Sequence, residues 1–445
     1  MTLERDTAEP DVRSMPGERA SEWAAHHREA AATSTYVYDF VWDVTAGAEG
    51  PFCTDIDGNV LLDFTSHVAA APLGYNNPKL IDRAGEFDLI DPLKIAGQDF
   101  YVGTPEGPEA TSVPGPTQLQ DRLVDLTSHY GMDTVFLSNS GAEAVENAIK
   151  ICYDHTGGHR GITFQGGFHG RTLGALSLNR SKAVHRRGYP EIPGITAVPY
   201  CDDSGCTPES CSCGFFTSTP TVREMLSPSG NLPPEDVAYL IVEPIQGEGG
   251  YRFPSEAFMD EVSDLCTEHG IPLIADEIQT GLGRTGEMWG SDHYPIEPDV
   301  ITGAKGLRVG ATVGSSDVFP DEEGRISSTW GAGDVISSLY GVLTLDAIVE
   351  YDLMQNAISR GEQTIDLLSD AEPESVVDLR GKGLMLAVEF DTKANRDAVV
   401  EAAMHRGLLT LACGYKTLRL LPPLDVTERE IGIGVDLLLE AIEDV

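Results

Sequence analysis

Six short apolar runs recur between about residues 134 and 305, and they constrain the fold more than any other feature of the chain. They read TVFLS, GITFQ, ITAVPY, VAYLIVE, IPLIADE and DVITGA, and amphipathic or loop segments separate them. Apolar runs of this length that alternate with helical patterns are typical of buried parallel strands connected by helices. The pattern predicts an α/β fold in which helices cover a mostly parallel sheet.

The remainder of the chain predicts a second, smaller domain, because 445 residues are too many for one simple core. Beyond about residue 336, two helical patterns, VISSLYGVLTLDAIVEY and REIGIGVDLLLEAIEDV, flank the segments RGKGLMLAVEF and KTLRLLPP. This mixture is typical of an α+β domain. We predict a large domain at residues 76–335 and a small α+β domain built from residues 1–75 and 336–445.

The net charge of the chain argues against a nucleic-acid partner and favours a high-salt environment. Thirty basic and 71 acidic residues give a formal net charge of −41, and nucleic acid is not expected to bind because phosphate neutralisation needs a basic face. The basic residues are 8 Lys and 22 Arg. Together these features predict a halophilic protein whose self-repulsion is screened by molar salt, with an ordinary acidic protein as the alternative.

Two further features concern location. The first 30 residues are polar and acidic and lack the apolar core of a secretory signal. The sequence contains no apolar run near the roughly 20 residues that a membrane span requires. A cytoplasmic protein that has no membrane partner is therefore expected.

The segment FLSNSGAEAVENAIK, residues 136–150, predicts a strand that runs into a turn of small residues and then a helix. Its periodicity predicts a buried face formed by Val145, Ala148, Ile149 and Cys152 and an outer face formed by Glu143, Glu146, Asn147 and Lys150. A helix that begins behind Ser140, Gly141 and Ala142 would offer backbone N–H groups to a phosphate. The alternative is that Ser140 only caps the helix.

An acid and a lysine lie at the ends of two predicted parallel strands. IPLIA is followed by Asp276 and Glu277, and DVITGA is followed by Lys305. Ligands of open α/β sheets bind outside the carboxyl ends of the strands. A phosphate cradle, a carboxylate opposite a pyridine nitrogen and a lysine that can form an imine are what a pyridoxal-phosphate (PLP) enzyme needs.

Seven motifs make this interpretation specific: SNSGAEAVENAIK, GGFHGRTLGALSL, VEPIQGEGG, ADEIQTGLGRTG, DVITGAKGL, SSTWGAGD and LRLLPPL. In this order they resemble the motifs of class III aminotransferases of PLP fold type I, which include ornithine, 4-aminobutyrate and lysine aminotransferases. The resemblance covers roughly residues 35–440. It implies a PLP cofactor, a seven-stranded, mostly parallel sheet in the large domain, and a homodimer with shared active sites.

The resemblance also implies which residues hold the phosphate and the reactive carbon of the cofactor. Ser140, Gly141 and Ala142 would bind the phosphate, together with Thr329 from the neighbouring subunit. Lys305 would hold the cofactor as a Schiff base and then carry a proton between the substrate carbon and the cofactor.

Four other positions match residues that contact the cofactor ring. Phe168 would stack on the pyridine, and Ile278 would pack on its opposite face. Asp276 would pair with the ring nitrogen, and Gln279 would contact the ring hydroxyl.

Three residues bear on the substrate in the same way. Arg171 would bind the carboxylate remote from the reacting amine, and Arg419 the α-carboxylate of glutamate, since planar guanidinium groups suit carboxylates. Glu243 would mask Arg419 while an ω-amine is bound, or it is a structural ion-pair partner. The implied reaction is a ping-pong transamination between an ω-amino acid of the 4-aminobutyrate, lysine or ornithine class and 2-oxoglutarate.

Departures from the family pattern leave the substrate open. AKGLRVG places Arg308 near the cofactor lysine where AKGLGGG is common, and STWGAGD replaces STFGGNP; both segments look more like lysine 6-aminotransferases. One alternative function is an amino-acid racemase or epimerase on the same scaffold. Another is a catalytically silent binding protein, against which the intact Asp276 and Lys305 argue.

Two other motifs need an interpretation. GLGRTG, residues 281–286, matches G-x-G-x-x-G, but Gly290, Pro295 and Pro298 follow where a dinucleotide-binding unit needs a helix, so a nicotinamide dehydrogenase is not expected. No P-loop motif occurs.

Half of the 8 cysteines lie within 13 residues, and they are Cys201, Cys206, Cys211 and Cys213. They could bind a structural metal, form disulfides or stay as free or redox-labile thiols. Their spacing is not a standard zinc pattern, because a one-residue gap strains chelation by two ligands.

Overall fold

The computed structural model describes residues 3–35, 38–100, 102–327 and 329–445. The chain forms two compact units, one that combines Met1–Ile81 with Asp352–Val445 and one that consists of Asp82–Tyr351. We name them the small unit and the large unit. The domain boundaries inferred from the sequence, after residues 75 and 335, stay a prediction.

The strands within the described residues are β1 (Phe52–Thr54), β2 (Val60–Asp63), β3 (Thr134–Ser138), β4 (Arg160–Phe164), β5 (Ile195–Val198), β6 (Val237–Val242), β7 (Leu273–Asp276), β8 (Val300–Gly303), β9 (Gly310–Gly314), β10 (Val376–Lys382), β11 (Met385–Phe390), β12 (Leu408–Leu409), β13 (Leu411–Cys413) and β14 (Thr417–Leu420). The helices are α1 (Glu18–Ala30), α2 (Ser66–Ala69), α3 (Pro78–Gly85), α4 (Pro116–Thr127), α5 (Gly141–Thr156), α6 (Leu173–Leu178), α7 (Ala183–Arg186), α8 (Val222–Leu226), α9 (Glu256–His269), α10 (Val335–Glu350), α11 (Leu353–Ala371), α12 (Lys393–His405) and α13 (Glu428–Glu443). Among the described residues, no helix has both the length and the apolar character of a membrane span.

A seven-stranded sheet in the order β3-β9-β8-β7-β6-β4-β5 forms the centre of the large unit. The pairs from β8 to β5 are parallel, whereas β9 is antiparallel to both β8 and β3. All strands except β9 therefore run in the same direction, and the predicted mostly parallel sheet is confirmed. Every residue of β6, β7, β8 and β9 is buried, as expected when helices cover both faces.

Helix α5 packs against this sheet with the predicted apolar face. Val145, Ala148, Ile149 and Cys152 are buried, but so is Asn147, and the prediction that Asn147 faces outward was wrong. The helix contacts α6 as well as strands of the sheet, so that its buried face is wider than one apolar stripe.

The small unit has α+β architecture and draws on both ends of the chain, as the sequence predicts. One sheet is antiparallel, in the order β10-β11-β14-β13, and a second joins β1 and β2 with β12. The parallel register of β2 with β12 pairs Leu62 with Leu408. The turn assigned as α2 has positive φ at each residue, from 43° at Ser66 to 66° at Ala69, a conformation that is costly for side-chain-bearing residues.

Candidate active site

The carboxyl ends of five strands lie at one edge of the large sheet. Ser140 follows β3, Phe168 follows β4, Glu243 follows β6, Asp276 ends β7 and Lys305 follows β8. Because these strands are parallel in direction, the residues that leave them are gathered at the same edge. This is the edge at which open α/β sheets bind ligands.

The turn before α5 has the features of an anion-binding site. Ser140 is the N-cap, and its side chain accepts a hydrogen bond from the Glu143 N–H at 3.3 Å. A Cβ on Gly310, where β9 begins, would lie 2.2 Å from the Ser140 carbonyl oxygen, so glycine permits this close approach. The first N–H groups of a 16-residue helix carry partial positive charge. Ser140 thus caps the helix at a position that also suits a phosphate.

Thr329 lies beside this turn within one chain. Its hydroxyl oxygen accepts a hydrogen bond from the Asn139 side-chain amide at 2.7 Å and donates to a Glu143 carboxylate oxygen at 3.4 Å. Thr329 is exposed. The expected phosphate contact across a subunit boundary stays a prediction.

Asp276 forms a buried pair with His169. Asp276 Oδ2 lies 2.7 Å from His169 Nδ1, and the two residues are 4% and 2% exposed. Burial alone would lower the pKa of His169, but the hydrogen bond and charge of Asp276, aided by the charge of Glu243, raise it. The contact between His169 Nδ1 and Asp276 Oδ2 holds the carboxylate in one orientation. The sequence analysis missed His169, although it stands next to Phe168 in the FHGRT motif.

Glu243 is buried and accepts two backbone hydrogen bonds. Its Oε1 accepts from the Phe168 N–H and its Oε2 from the Gly247 N–H, each at 2.8 Å. Burial and the nearby charge of Asp276 raise the pKa of Glu243 to about 7, against the lowering effect of His169. Glu243 is thus poised to change protonation near neutral pH.

This pKa predicts a pH dependence of stability for the cofactor-free protein. A carboxyl with a raised folded-state pKa binds more protons when folded, so its stabilising contribution is complete below the ordinary value of 4.5 and is lost as pH rises through about 7. The expected loss is about 3 kcal/mol of unfolding free energy. Denaturant unfolding between these pH values should show a fall that is smaller in Glu243→Gln than in the wild type by about this amount.

The exposed Glu287 supplies the control. Glu287→Gln should retain the pH dependence of the wild type. Equal slopes for the wild type and Glu243→Gln would contradict the assignment.

Ile278 and Gln279 follow β7 directly. A Cβ on Gly141 would lie 2.8 Å from Ile278 Cδ1, so Ile278 packs against the turn at Ser140. The buried side-chain oxygen of Gln279 has no hydrogen-bond partner within the part of the chain that the structure describes. Buried polar atoms are nearly always satisfied, which is consistent with a ligand hydroxyl there.

Lys305 begins a 3-10 turn, Lys305–Leu307, just beyond β8. Its φ is 52°, which is uncommon for a residue other than glycine and concentrates at functional sites. Arg308 lies three residues further on, and its guanidinium stacks 5.7 Å from the centroid of the Tyr340 ring.

Phe168 and Arg171 lie together on the loop after β4. Phe168 is half-buried and Arg171 is exposed, and the guanidinium carbon lies 5.5 Å from the centroid of the Phe168 ring. This cation–π contact places a carboxylate-binding group beside the ring that is predicted to stack on the cofactor.

Arg419 belongs to the small unit. It lies on β14, where it pairs with Ala387 of β11 and Leu411 of β13, and it is 6% exposed. Its expected role in binding an α-carboxylate stays a prediction.

The GLGRTG segment does not form a dinucleotide-binding turn. It follows β7 as a series of turns and leads into a 3-10 turn, Gly290–His293, where the dinucleotide motif requires a longer helix. Glu277 anchors this region, because its carboxylate accepts from the N–H groups of Gly290 and Ser291 at 2.8 and 2.7 Å. These hydrogen bonds satisfy the buried carboxylate of Glu277, which thus holds the segment after β7 in place.

The residues present fit PLP. The helix N-terminus behind Ser140 matches the charge of a phosphate, and the unsatisfied oxygen of Gln279 can accept from a ring hydroxyl. Asp276 offers an oriented carboxylate to a protonated ring nitrogen, and Lys305 supplies an amine at the neighbouring strand end. These are the groups that the cofactor requires.

Comparison with known proteins gives the family. Residues 106–442 match the family described as Aminotransferase class-III. The chain is 33% identical over 411 residues to acetylornithine aminotransferase of Thermosynechococcus vestitus, covering 88% of this chain and 91% of the relative. It is 31% identical over 455 residues to alanine/serine racemase of Pyrococcus horikoshii, covering 96% of this chain and 91% of the relative.

A solved structure agrees with these sequence relatives. Lysine aminotransferase from M. tuberculosis in the internal aldimine form superposes with a TM-score of 0.81 at 26% identity, over 97% of this chain and 100% of the other. The protein is accordingly an aminotransferase whose cofactor is PLP. With a family match over residues 106–442 and relatives above 30% identity along most of its length, the chain belongs to the class III aminotransferases.

Proposed function

We propose that the enzyme transfers the amino group of an ω-amino acid, of the 4-aminobutyrate, lysine or ornithine class, to 2-oxoglutarate in a ping-pong reaction. The observation that carries the proposal is the buried Asp276–His169 pair on the strand next to the one that leads to Lys305. When bound, PLP supplies an electron sink for the bond that breaks at the amine-bearing carbon. Similarity to acetylornithine and lysine aminotransferases supports the choice of an ω-amine.

The chain's own residues divide the remaining work. Lys305 Nζ would hold the cofactor and, as a free amine, would carry a proton between the amine-bearing carbon of the substrate and the cofactor. Asp276, oriented by His169, keeps a proton on the pyridine nitrogen. Ser140, Gly141 and Ala142 hold the phosphate.

Specificity is proposed to depend on carboxylate recognition. Arg171 binds the carboxylate remote from the amine, and Arg419 binds the α-carboxylate of glutamate. Glu243 controls the availability of Arg419 between the two half-reactions. The pKa of Glu243 near 7 supports such a role, since a small change in surroundings alters its charge.

The setting of the enzyme is also a proposal. A net charge of −41 supports a halophilic protein that needs molar salt. All eight cysteines lie in the described residues and none is in a disulfide, which supports a reducing cytoplasm. We propose a homodimer in which Thr329 completes the phosphate site of the neighbouring subunit.

A racemase is the second candidate, and 31% identity to the alanine/serine racemase over 96% of this chain favours it. It would use Lys305 and Asp276 in the same way but return the proton to the opposite face of the same carbon. No keto acid would be consumed.

Steady-state kinetics in molar KCl test the proposal. Initial rates measured with 4-aminobutyrate, lysine and ornithine at several fixed 2-oxoglutarate concentrations should give parallel double-reciprocal lines for at least one donor. Intersecting lines would contradict a ping-pong order. Loss of optical purity of alanine or serine without a keto acid, and no turnover of any ω-amine, would favour the racemase.

A further inference from the structure

The loop that connects β5 to β6 in the large unit is long and has little regular structure. Between Val198 and Val237 it contains α8, which is five residues long, and a 3-10 turn, Pro234–Asp236. Loops of this length with little regular structure are uncommon in compact domains and usually have a function. This loop carries Cys201, Cys206, Cys211 and Cys213, which we name the cysteine cluster.

Three sulfur atoms of the cysteine cluster lie close together, and the fourth lies beside one of them. The Sγ atoms of Cys201, Cys206 and Cys213 all lie within 4.8 Å of one another. Cys206 Sγ is 3.7 Å from Cys213 Sγ, and Cys211 Sγ is 3.2 Å from Cys213 Sγ. Four sulfurs bound to one Zn²⁺ at 2.3 Å in a tetrahedron are about 3.8 Å apart. The observed separations are close to this arrangement.

We propose that the cysteine cluster binds one structural Zn²⁺ ion, which fastens the β5–β6 loop to the core of the large unit. Binding would deprotonate the thiols and release their protons to solvent. The proposal is independent of which amine the enzyme uses.

The geometry distinguishes a single ion from other arrangements of four cysteines. One disulfide would use two sulfurs and leave two thiols packed against it, and sulfurs 3.7 Å apart are not bonded. Iron–sulfur clusters distribute their four cysteines over two or four irons, so three cysteine sulfurs of such a cluster would not all lie within 4.8 Å of one another. A single tetrahedral ion can use the three grouped sulfurs of Cys201, Cys206 and Cys213, and Cys211, whose Sγ lies beside Cys213, is the nearest fourth ligand.

The surroundings favour a closed structural site. Cys201 and Cys206 are 0% and 1% exposed, and the cluster packs with Phe215 and Phe258 in the hydrophobic core.

The loop begins next to the active site. The Tyr200 hydroxyl donates to the carbonyl oxygens of Glu243 and Pro244 at 3.1 and 3.2 Å, and Cys201 follows it. The ion would therefore also stabilise the backbone segment that carries Glu243.

Metal analysis of the purified holoenzyme, prepared without chelators, tests the site. Inductively coupled plasma mass spectrometry should find one zinc per chain in the wild type, and the double variant Cys206→Ser/Cys213→Ser should lose it. Cys266→Ser is the matched control, since Cys266 lies in the same hydrophobic core but outside the cluster; it should keep its zinc.

A second measurement covers the case in which the double variant does not fold. Removal of zinc from the wild type should lower its melting temperature by several degrees, and Co²⁺ added in its place should give the visible and thiolate charge-transfer bands of a tetrahedral sulfur site. Wild-type protein with no bound metal that takes up no Co²⁺ would overturn the proposal. A disulfide within the cluster, found by mass spectrometry after alkylation, would overturn it as well.

Discussion

Replacement of Lys305 by Ala should lower kcat by at least about 10⁴-fold, because it removes the amine that attaches the cofactor and the group that moves the proton. The fold should persist, since Lys305 is only partly buried and starts a short 3-10 turn. Lysine and alanine both carry a Cβ, so the φ of 52° at position 305 has a similar steric cost for either residue. Steady-state rates and circular dichroism of the purified variant measure the two expectations.

The covalent bond between Lys305 and the cofactor can be detected without measuring turnover. Borohydride reduction of the wild-type holoenzyme should add the mass of the cofactor to the peptide that contains Lys305, and the variant should show no such adduct. Lys150→Ala, an exposed position on α5, is the control and should behave as wild type. Retained turnover in Lys305→Ala, or an adduct on another lysine, would contradict the assignment.

Replacement of Asp276 by Asn should lower kcat by about 10²–10⁴-fold. Asn has nearly the same shape, but as a neutral amide it cannot hold a proton on the pyridine nitrogen. The variant also removes the charge that raises the pKa of His169. Steady-state rates at saturating cofactor separate this effect from weaker cofactor binding.

The same substitution has a second, pH-dependent readout in the cofactor-free protein. Because the pKa of His169 is raised in the folded protein, the pair contributes stability that is complete below the ordinary value near 6.5 and is lost as pH rises through the folded-state pKa. Asp276→Asn should abolish this dependence. His169→Gln should abolish it too while reducing kcat less, since Asp276 remains. Wild-type kcat in Asp276→Asn would refute the role given to the carboxylate.

Much of the large sheet could be predicted from the sequence for a physical reason. The six apolar runs correspond to β3 to β8 to within about two residues at each end, because strands buried on both faces must be apolar almost throughout. The remaining strand, β9, has the sequence Gly-Ala-Thr-Val-Gly. Its small residues give no strong apolar signal, although they allow Gly310 to approach Ser140.

The site was predicted less completely, because side-chain pairing depends on tertiary contacts. The motifs pointed to Asp276, but its partner His169 is 107 residues away in sequence, and no local pattern joins them. Helical periodicity predicted that Asn147 lies on the outer face of α5, but packing in the folded chain buries it. The spacing of the four cysteines argued against chelation, whereas the folded loop brings the sulfurs of Cys201, Cys206 and Cys213 within 4.8 Å of one another.

The most direct test of the central claim is a single half-reaction. Wild-type holoenzyme in molar KCl is mixed with 4-aminobutyrate, lysine or ornithine in the absence of any keto acid. An ω-aminotransferase should change its cofactor absorbance and release one equivalent of aldehyde product per active site, and then stop until 2-oxoglutarate is added. An unchanged spectrum with all three donors, together with loss of optical purity of alanine or serine, would contradict the account.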